Sequence, residues 1–238
     1  MAAMSISRKT LTLVQRALPN LCLCKNMLVV PPTRHILRAY EFERTPYKGQ
    51  FYLWRVVMPL YRPTKGVSLN YSKRLARGEL LQLSKDAPAE TVAAVANLIS
   101  EDLPALAKIR DPNDFFHHIS WMVGNDMQSV LLDMALTYYK IDRLADMRKA
   151  VDRLIVKLEK FYAWQLSVRI PETKRARRQR AWEREQRNLQ HTRERLRIAG
   201  ELSTALKSDP SVIARMTDAW ETQNIEQFNL ARTLDSST

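Results

Sequence analysis

His35-Ile-Leu-Arg-Ala-Tyr-Glu-Phe-Glu-Arg44 and Gln50-Phe-Tyr-Leu-Trp-Arg-Val-Val-Met58 are the two runs on which the fold turns. In the first, Tyr40 and Phe42 alternate with Glu41 and Glu43, the period-two pattern of a half-buried strand. The second is aromatic and β-branched, side chains that pack well on a pleated surface. Between them, Thr45-Pro46-Tyr47-Lys48-Gly49 has turn chemistry, so the runs should pair as a hairpin. Pro59 has no N–H to give to a ladder and should end the second strand or place it at an edge. After a turn at Pro63–Gly66, Val67, Leu69 and Tyr71 alternate with Ser68, Asn70 and Ser72, which predicts a third strand. Gly78 precedes Glu79–Leu83, a candidate fourth. Short links between successive strands imply an antiparallel meander.

Past residue 86 the period becomes helical. Pro88 to Glu101 is rich in helix formers, with Asp86 placed to cap it. Asp102-Leu103-Pro104 and Asp111-Pro112 should each restart a helix, since proline is tolerated in a first turn. Gly124-Asn125 is a break, and Asp126–Lys140 should be helical with Leu131, Met134, Ala135 and Tyr138 on one face. Residues 142–169 carry the clearest pattern. Leu144, Met147, Val151, Leu154, Leu158, Phe161 and Val168 follow 3/4 spacing, broken at Gln165. Such a seam is either a core helix packed on its neighbours or, from Leu144 to Val168, the face of a homodimer.

Pro171 should stop that helix. From Lys174 to Ile198 nearly every residue is a good helix former. At about 100° per residue, Arg177, Arg180, Arg184, Arg187, His191 and Arg195 share one side. Trp182, Leu189 and Leu196 fall nearly opposite, as an edge by which the helix would dock, with Trp182 as anchor. The basic row spans about 27 Å. Nine of the ten basic residues in 174–197 are Arg, whose planar guanidinium suits carboxylates and phosphates. The plain alternative is a solvated face with local pairs such as Glu183–Arg187. Further on, Ser208-Asp209-Pro210 marks a stop and a new start. Val212, Ile213, Met216 and Trp220 should line one helix, and Ile225, Phe228 and Leu234 a short last one.

The expected fold is therefore α+β. A small antiparallel β-sheet over residues 35–84 packs on a helical region, followed by a long Arg-rich helix and C-terminal helices.

The formal net charge of +13 has two sources. Residues 1–40 hold six basic residues and no acid; residues 174–197 hold ten against three. The remainder is balanced. Five Gly and two Cys rule out a collagen-like chain and a disulfide scaffold, and no apolar run is long enough for a membrane-spanning helix. Residues 1–26, basic with Ser5, Ser7 and Thr10, read either as an organellar transit segment or as an extension upstream of Met27. Three regions follow: a basic leader over 1–29, an α+β globular domain over 30–170 and a helical extension over 171–238. Cys22 and Cys24 form a lone C-x-C, short of the four ligands of a zinc site. Two cysteines suit a reducing compartment, hence the cytoplasm, or an organellar matrix if the leader is a transit segment.

No Walker loop, dinucleotide fingerprint, G-x-S-x-G or H-E-x-x-H occurs. No cofactor or metal is expected. Asp114 and His118 are one turn apart and would form an orienting pair for a general base, with His117 and Ser120 nearby. That enzymatic reading is the third choice. The first is a non-enzymatic intracellular interaction or adaptor protein that engages an acidic protein partner through the Arg-rich helix. The second is a nucleic-acid-binding protein that sets the same residues against phosphates.

Overall fold

The computed structural model describes residues 8–47, 50–76, 79–82, 89–167 and 176–234. They form an α+β fold of seven α-helices and a six-stranded antiparallel sheet, in two compact units. One comprises residues 1–121 and 218–238, the other residues 122–217.

The first unit is built on a meander. β1 (Cys22–Cys24) pairs with β2 (Met27–Val29), β2 with β3 (Ile36–Arg44), and β3 with β4 (Gln50–Pro59). The short strands β5 (Lys73–Arg74) and β6 (Leu81–Gln82) both pair with β4. The expected hairpin is present, with Ile36 opposite Pro59 and Arg44 opposite Phe51. Because side chains alternate across a strand, one face presents Cys24, Met27, Val29, Leu37, Ala39, Val56 and Met58. These form a buried cluster closed by Leu60, Phe228 and Leu230, with Val67 and Leu69 packed against it. The opposite face carries Arg38, Tyr40, Phe42, Leu53, Arg55 and Val57.

Three α-helices of the described residues lie wholly in this unit: α1 (Arg8–Ala17), α2 (Ala89–Leu106) and α3 (Pro112–Ile119). Leu11 and Val14 of α1 are buried, as are Leu18 and Leu21 beyond it. The Tyr40 hydroxyl donates to Asp102 Oδ2 of α2 at 3.2 Å. Asp111 caps α3 through Oδ1, which accepts the Asn113 and Asp114 N–H groups at 2.8 and 2.9 Å.

Several expectations are corrected here. The sheet begins at Cys22, earlier than expected, and Leu11, Val14, Leu18 and Leu21 ahead of it are buried. Val67–Ser72 is not a strand. The Ser72 N–H closes a turn onto the Leu69 carbonyl at 3.1 Å. Its alternation instead sets Val67 and Leu69 on one sheet face and Tyr71 edge-on to Phe115 at 5.2 Å. Helix α2 runs through Asp102 and Pro104 without restarting. Pro104 lies two residues from its end and forfeits a single bond to the carbonyl four residues back. Gly78, Leu83, Asp86 and Pro88 lie outside the described residues.

The second unit holds α4 (Gln128–Lys140), α5 (Leu144–Ser167), α6 (Ala176–Ser208) and the start of α7 (Ser211–Phe228). Asp142, with φ of 58°, turns the chain from α4 into α5. Asp126 is not in α4; its carboxylate is drawn to Arg153 and Lys157 of α5 at 2.5 and 2.8 Å. Met147, Val151, Leu154 and Leu158 of the Leu144–Val168 seam are buried within the chain. α5 packs on both α4 and α6, so the middle of the seam is filled without a second copy. Leu144 and Phe161 at its ends are exposed, and Gln165, expected to break it, is buried. Val168 lies outside the described residues. Helix α6 passes through Gly200, and α7 is one helix where two were expected. Asn229, at φ of 58°, ends α7 with the Leu230 N–H on the Ile225 carbonyl at 2.9 Å. The expected boundary near residue 170 falls in an undescribed stretch between two helices of one unit.

Candidate partner-binding helix

Helix α6 is two helices in one. From Thr192 onward it is anchored, with Thr192, Ile198, Ala199, Leu202, Ala205 and Leu206 buried. Its arginines there are engaged. Arg193 Nε donates to the Tyr162 hydroxyl at 2.6 Å, and Arg195 Nη1 to Gln128 Oε1 at 3.4 Å. Arg197 is held between Glu194, at 2.7 Å, and Glu201; the two carboxylates push its guanidinium further above its already high range.

The other half differs. No side chain from Gln179 to His191 is buried. Arg180, Arg184, Arg187 and His191 are exposed and make no hydrogen bond or ion pair among the described residues. The Glu183–Arg187 pair is not formed; Glu183 Oε1 accepts from Gln179 at 3.5 Å. The pairing in α5 and α6 explains why. Arg148 meets the Leu206 carbonyl and Tyr162 meets Arg193, so each residue forward along α5 is one backward along α6. Ser167, the last residue of α5, is thus level with Asn188. Ala176–Arg187 extends about 18 Å beyond it.

The predicted docking edge is corrected accordingly. Trp182 is 44% exposed and lies beyond the level of Ser167, the last described residue of α5, so it is not the buried anchor expected. Leu189 and Leu196 are half-buried. Of the predicted row, Arg180, Arg184, Arg187 and His191 have no partner among the described residues, Arg195 is tied to α4, and the side chain of Arg177 lies outside the described residues. A helical segment this short is marginal in water alone; here it continues a helix already nucleated by its docked half. Chemically it is a rigid array of bidentate donors for carboxylates or phosphates.

The residues of the enzymatic reading do not converge. Asp114 Oδ2 accepts the Arg110 N–H at 2.9 Å, and Ser120 Oγ donates to the His117 carbonyl at 2.9 Å. No bond joins Asp114 to His118 among the described residues. Instead, burial and then the charge of Arg55 hold His118 below its ordinary value of 6.5, opposed by a hydrogen bond to the Tyr71 backbone. Beside it, Arg55 Nη1 pairs with Asp102 Oδ1 at 3.2 Å, and Asp102 receives Tyr40. This cluster was not foreseen. Its signal was an arginine inside the apolar run from Phe51 to Met58.

The depressed His118 value has a sign. The unfolded chain takes up the proton near pH 6.5, whereas the folded chain resists it. Stability is therefore present above that pH and is lost as pH falls through the window just below it. Urea midpoints measured at about pH 7 and about pH 5.5 should fall less for His118→Gln than for the native chain. Parallel changes would refute the assignment.

No helix among the described residues is long and apolar enough to cross a membrane, and none of their His, Cys, Asp and Glu side chains cluster to hold a metal. No protein-family model, curated protein or solved structure matches this chain.

Proposed function

We propose that this chain is a non-enzymatic interaction protein whose Arg-rich half-helix engages an acidic protein partner. The observation that carries this reading is the first half of α6, where Arg180, Arg184, Arg187 and His191 are exposed and unpaired among the described residues while Arg193, Arg195 and Arg197 of the docked half are all engaged. Exposed Trp182 supports it too, because Trp and Arg are the residues on which protein interfaces concentrate their binding energy. The free cysteines Cys22 and Cys24 support a reducing compartment, the cytoplasm, with an organellar matrix as the alternative. A second reading, nucleic acid, is favoured by a different feature: no side chain from Gln179 to His191 is buried, which suits a helix entering a major groove.

Affinity purification from the native host with nuclease treatment separates these readings. The native chain should retain a stoichiometric acidic protein, and the triple variant Arg180→Glu, Arg184→Glu, Arg187→Glu should lose it by a factor of about 100 or more. A partner retained by the triple variant would overturn the proposal. So would recovery of nucleic acid alone, with an affinity that falls steeply with salt.

A further inference from the structure

Three sulfur-bearing side chains meet at one corner of the sheet in the first unit. Strands β1 and β2 are joined by a turn through Lys25 and Asn26, which sets Cys24 opposite Met27 and Cys22 opposite Val29. Residues directly opposite each other on antiparallel strands share a face, with Cβ atoms about 4.5–5.5 Å apart. Cys22 follows the same face, being two residues from Cys24 on one strand. Burial agrees: Cys24 and Met27 belong to the buried cluster, and Cys22 packs against it. Positions two apart on a strand are separated by about 6.6 Å. Two sulfurs leaning toward each other across that gap come within the span of two metal–sulfur bonds of about 2.3 Å each.

The surroundings suit a soft metal ion. Both cysteines are free thiols. Burial, and after it the charge of Cys22, push the Cys24 thiol up, while Arg232 acts to lower it. The two sulfurs therefore feel each other, and a guanidinium from the segment after α7 stands near enough to favour negative charge on them. Phe228 and Leu230 close the cluster and leave Cys24 and Met27 only 4% and 1% exposed. Half-buried Cys22 gives the way in, on the strand that ends the sheet among the described residues.

Donor chemistry selects the ion. A structural zinc site takes about four ligands, and an iron–sulfur cluster about four cysteines. Here no third His, Cys, Asp or Glu joins the pair among the described residues. Thiolate and thioether sulfurs favour Cu(I), which is held well at low coordination number. Cu(I) between two thiolates carries a net negative charge, and Arg232 offsets it.

The geometry points to a Cu(I) site in which Cys22 and Cys24 supply two thiolates and Met27 a thioether. Each thiol gives its proton to solvent as its sulfur bonds to the metal, and the copper stays Cu(I) throughout. The site draws on no residue of α6, so it stands or falls independently of the proposed function.

The test titrates the full, reduced chain, without oxygen, against Cu(I) held by a chromophoric chelator. The native chain should withdraw about one equivalent, with new sulfur-to-copper absorption in the ultraviolet and sulfur ligands alone by X-ray absorption. Changes in the groups around a metal's ligands cost about 10–100-fold in affinity. Arg232→Glu, at an exposed position, should fall in that range, and Cys22→Ser, which removes a ligand, should lose more than about 100-fold. Met27→Leu keeps the apolar volume and should lose about tenfold. Lys65→Glu, the same charge change at another exposed position, should bind as the native chain does. Unchanged thermal transitions without copper, read by circular dichroism, show that the variants are folded. A native chain that leaves all the Cu(I) with the chelator overturns the inference, and so does undiminished binding by Cys22→Ser or Met27→Leu. Zn(II) held in preference to Cu(I), or nitrogen and oxygen ligands in the X-ray spectrum, overturns it as well.

Discussion

Starting the chain at Met27 should abolish cooperative folding. Such a chain lacks Leu11, Val14, Leu18 and Leu21, all buried, and strand β1. Each fully buried aliphatic side chain contributes about 1.5–3 kcal/mol. The four together therefore contribute about 6–12 kcal/mol. Those figures are upper bounds, because the unfolded chain already buries some surface. Even the lower part of the range rivals the whole stability of a typical domain, about 5–15 kcal/mol. The loss is compounded at the sheet: Cys24 leaves the core cluster, and β2, fully buried as Met27–Val29, becomes an exposed edge open to aggregation. The shortened chain should be insoluble, or soluble with no sigmoidal thermal transition by circular dichroism. A cooperative transition within a few degrees of the native chain would show that α1 and β1 are dispensable.

The second large effect is expected at Arg38, which is 3% exposed. Its Nη1 donates to the Ala107 carbonyl at 3.3 Å, and its Nη2 to the Val30 and Pro32 carbonyls at 3.4 and 2.5 Å. One guanidinium thus ties β3 to the segment after β2 and to the end of α2. Burial, reinforced by nearby Arg110, lowers its pKa, and Asp114 opposes this. Asp114 itself accepts the Arg110 N–H. Arg38→Ala leaves the carbonyls without donors and opens a cavity, so it should cost about 3–5 kcal/mol. Arg38→Met keeps the apolar volume and should lose clearly less. Chemical denaturation measures both; a loss below about 1 kcal/mol for Arg38→Ala would mean that solvent takes over its bonds.

The elements that were legible carry a local signal. The hairpin of β3 and β4 was readable because strands of nine and ten residues display their period, and α3 because Asp111-Pro112 is a cap and first turn in adjacent residues. The pair β1 and β2 was not readable. Three-residue strands are too short to show alternation, and their turn passes through Lys25 at φ of 55° without the glycine that usually marks such a turn. Val67–Tyr71 misled for the opposite reason. Its alternation is real and reports two environments, but the segment folds over a sheet face instead of joining the ladder.

The candidate site divides in the same way. That Arg180, Arg184, Arg187 and His191 share a side follows from helical geometry and the order of residues, and so does the concentration of charge in this stretch. Whether that side is paired, packed or open depends on where neighbouring helices stop: α5 at Ser167, α4 at Gln128. Spacing within a helix specifies which residues face together. Cover for that face comes from segments tens of residues away, placed by the packing of the whole unit, so only the tertiary structure decided that Trp182 is exposed and that Arg180, Arg184, Arg187 and His191 make no pair among the described residues.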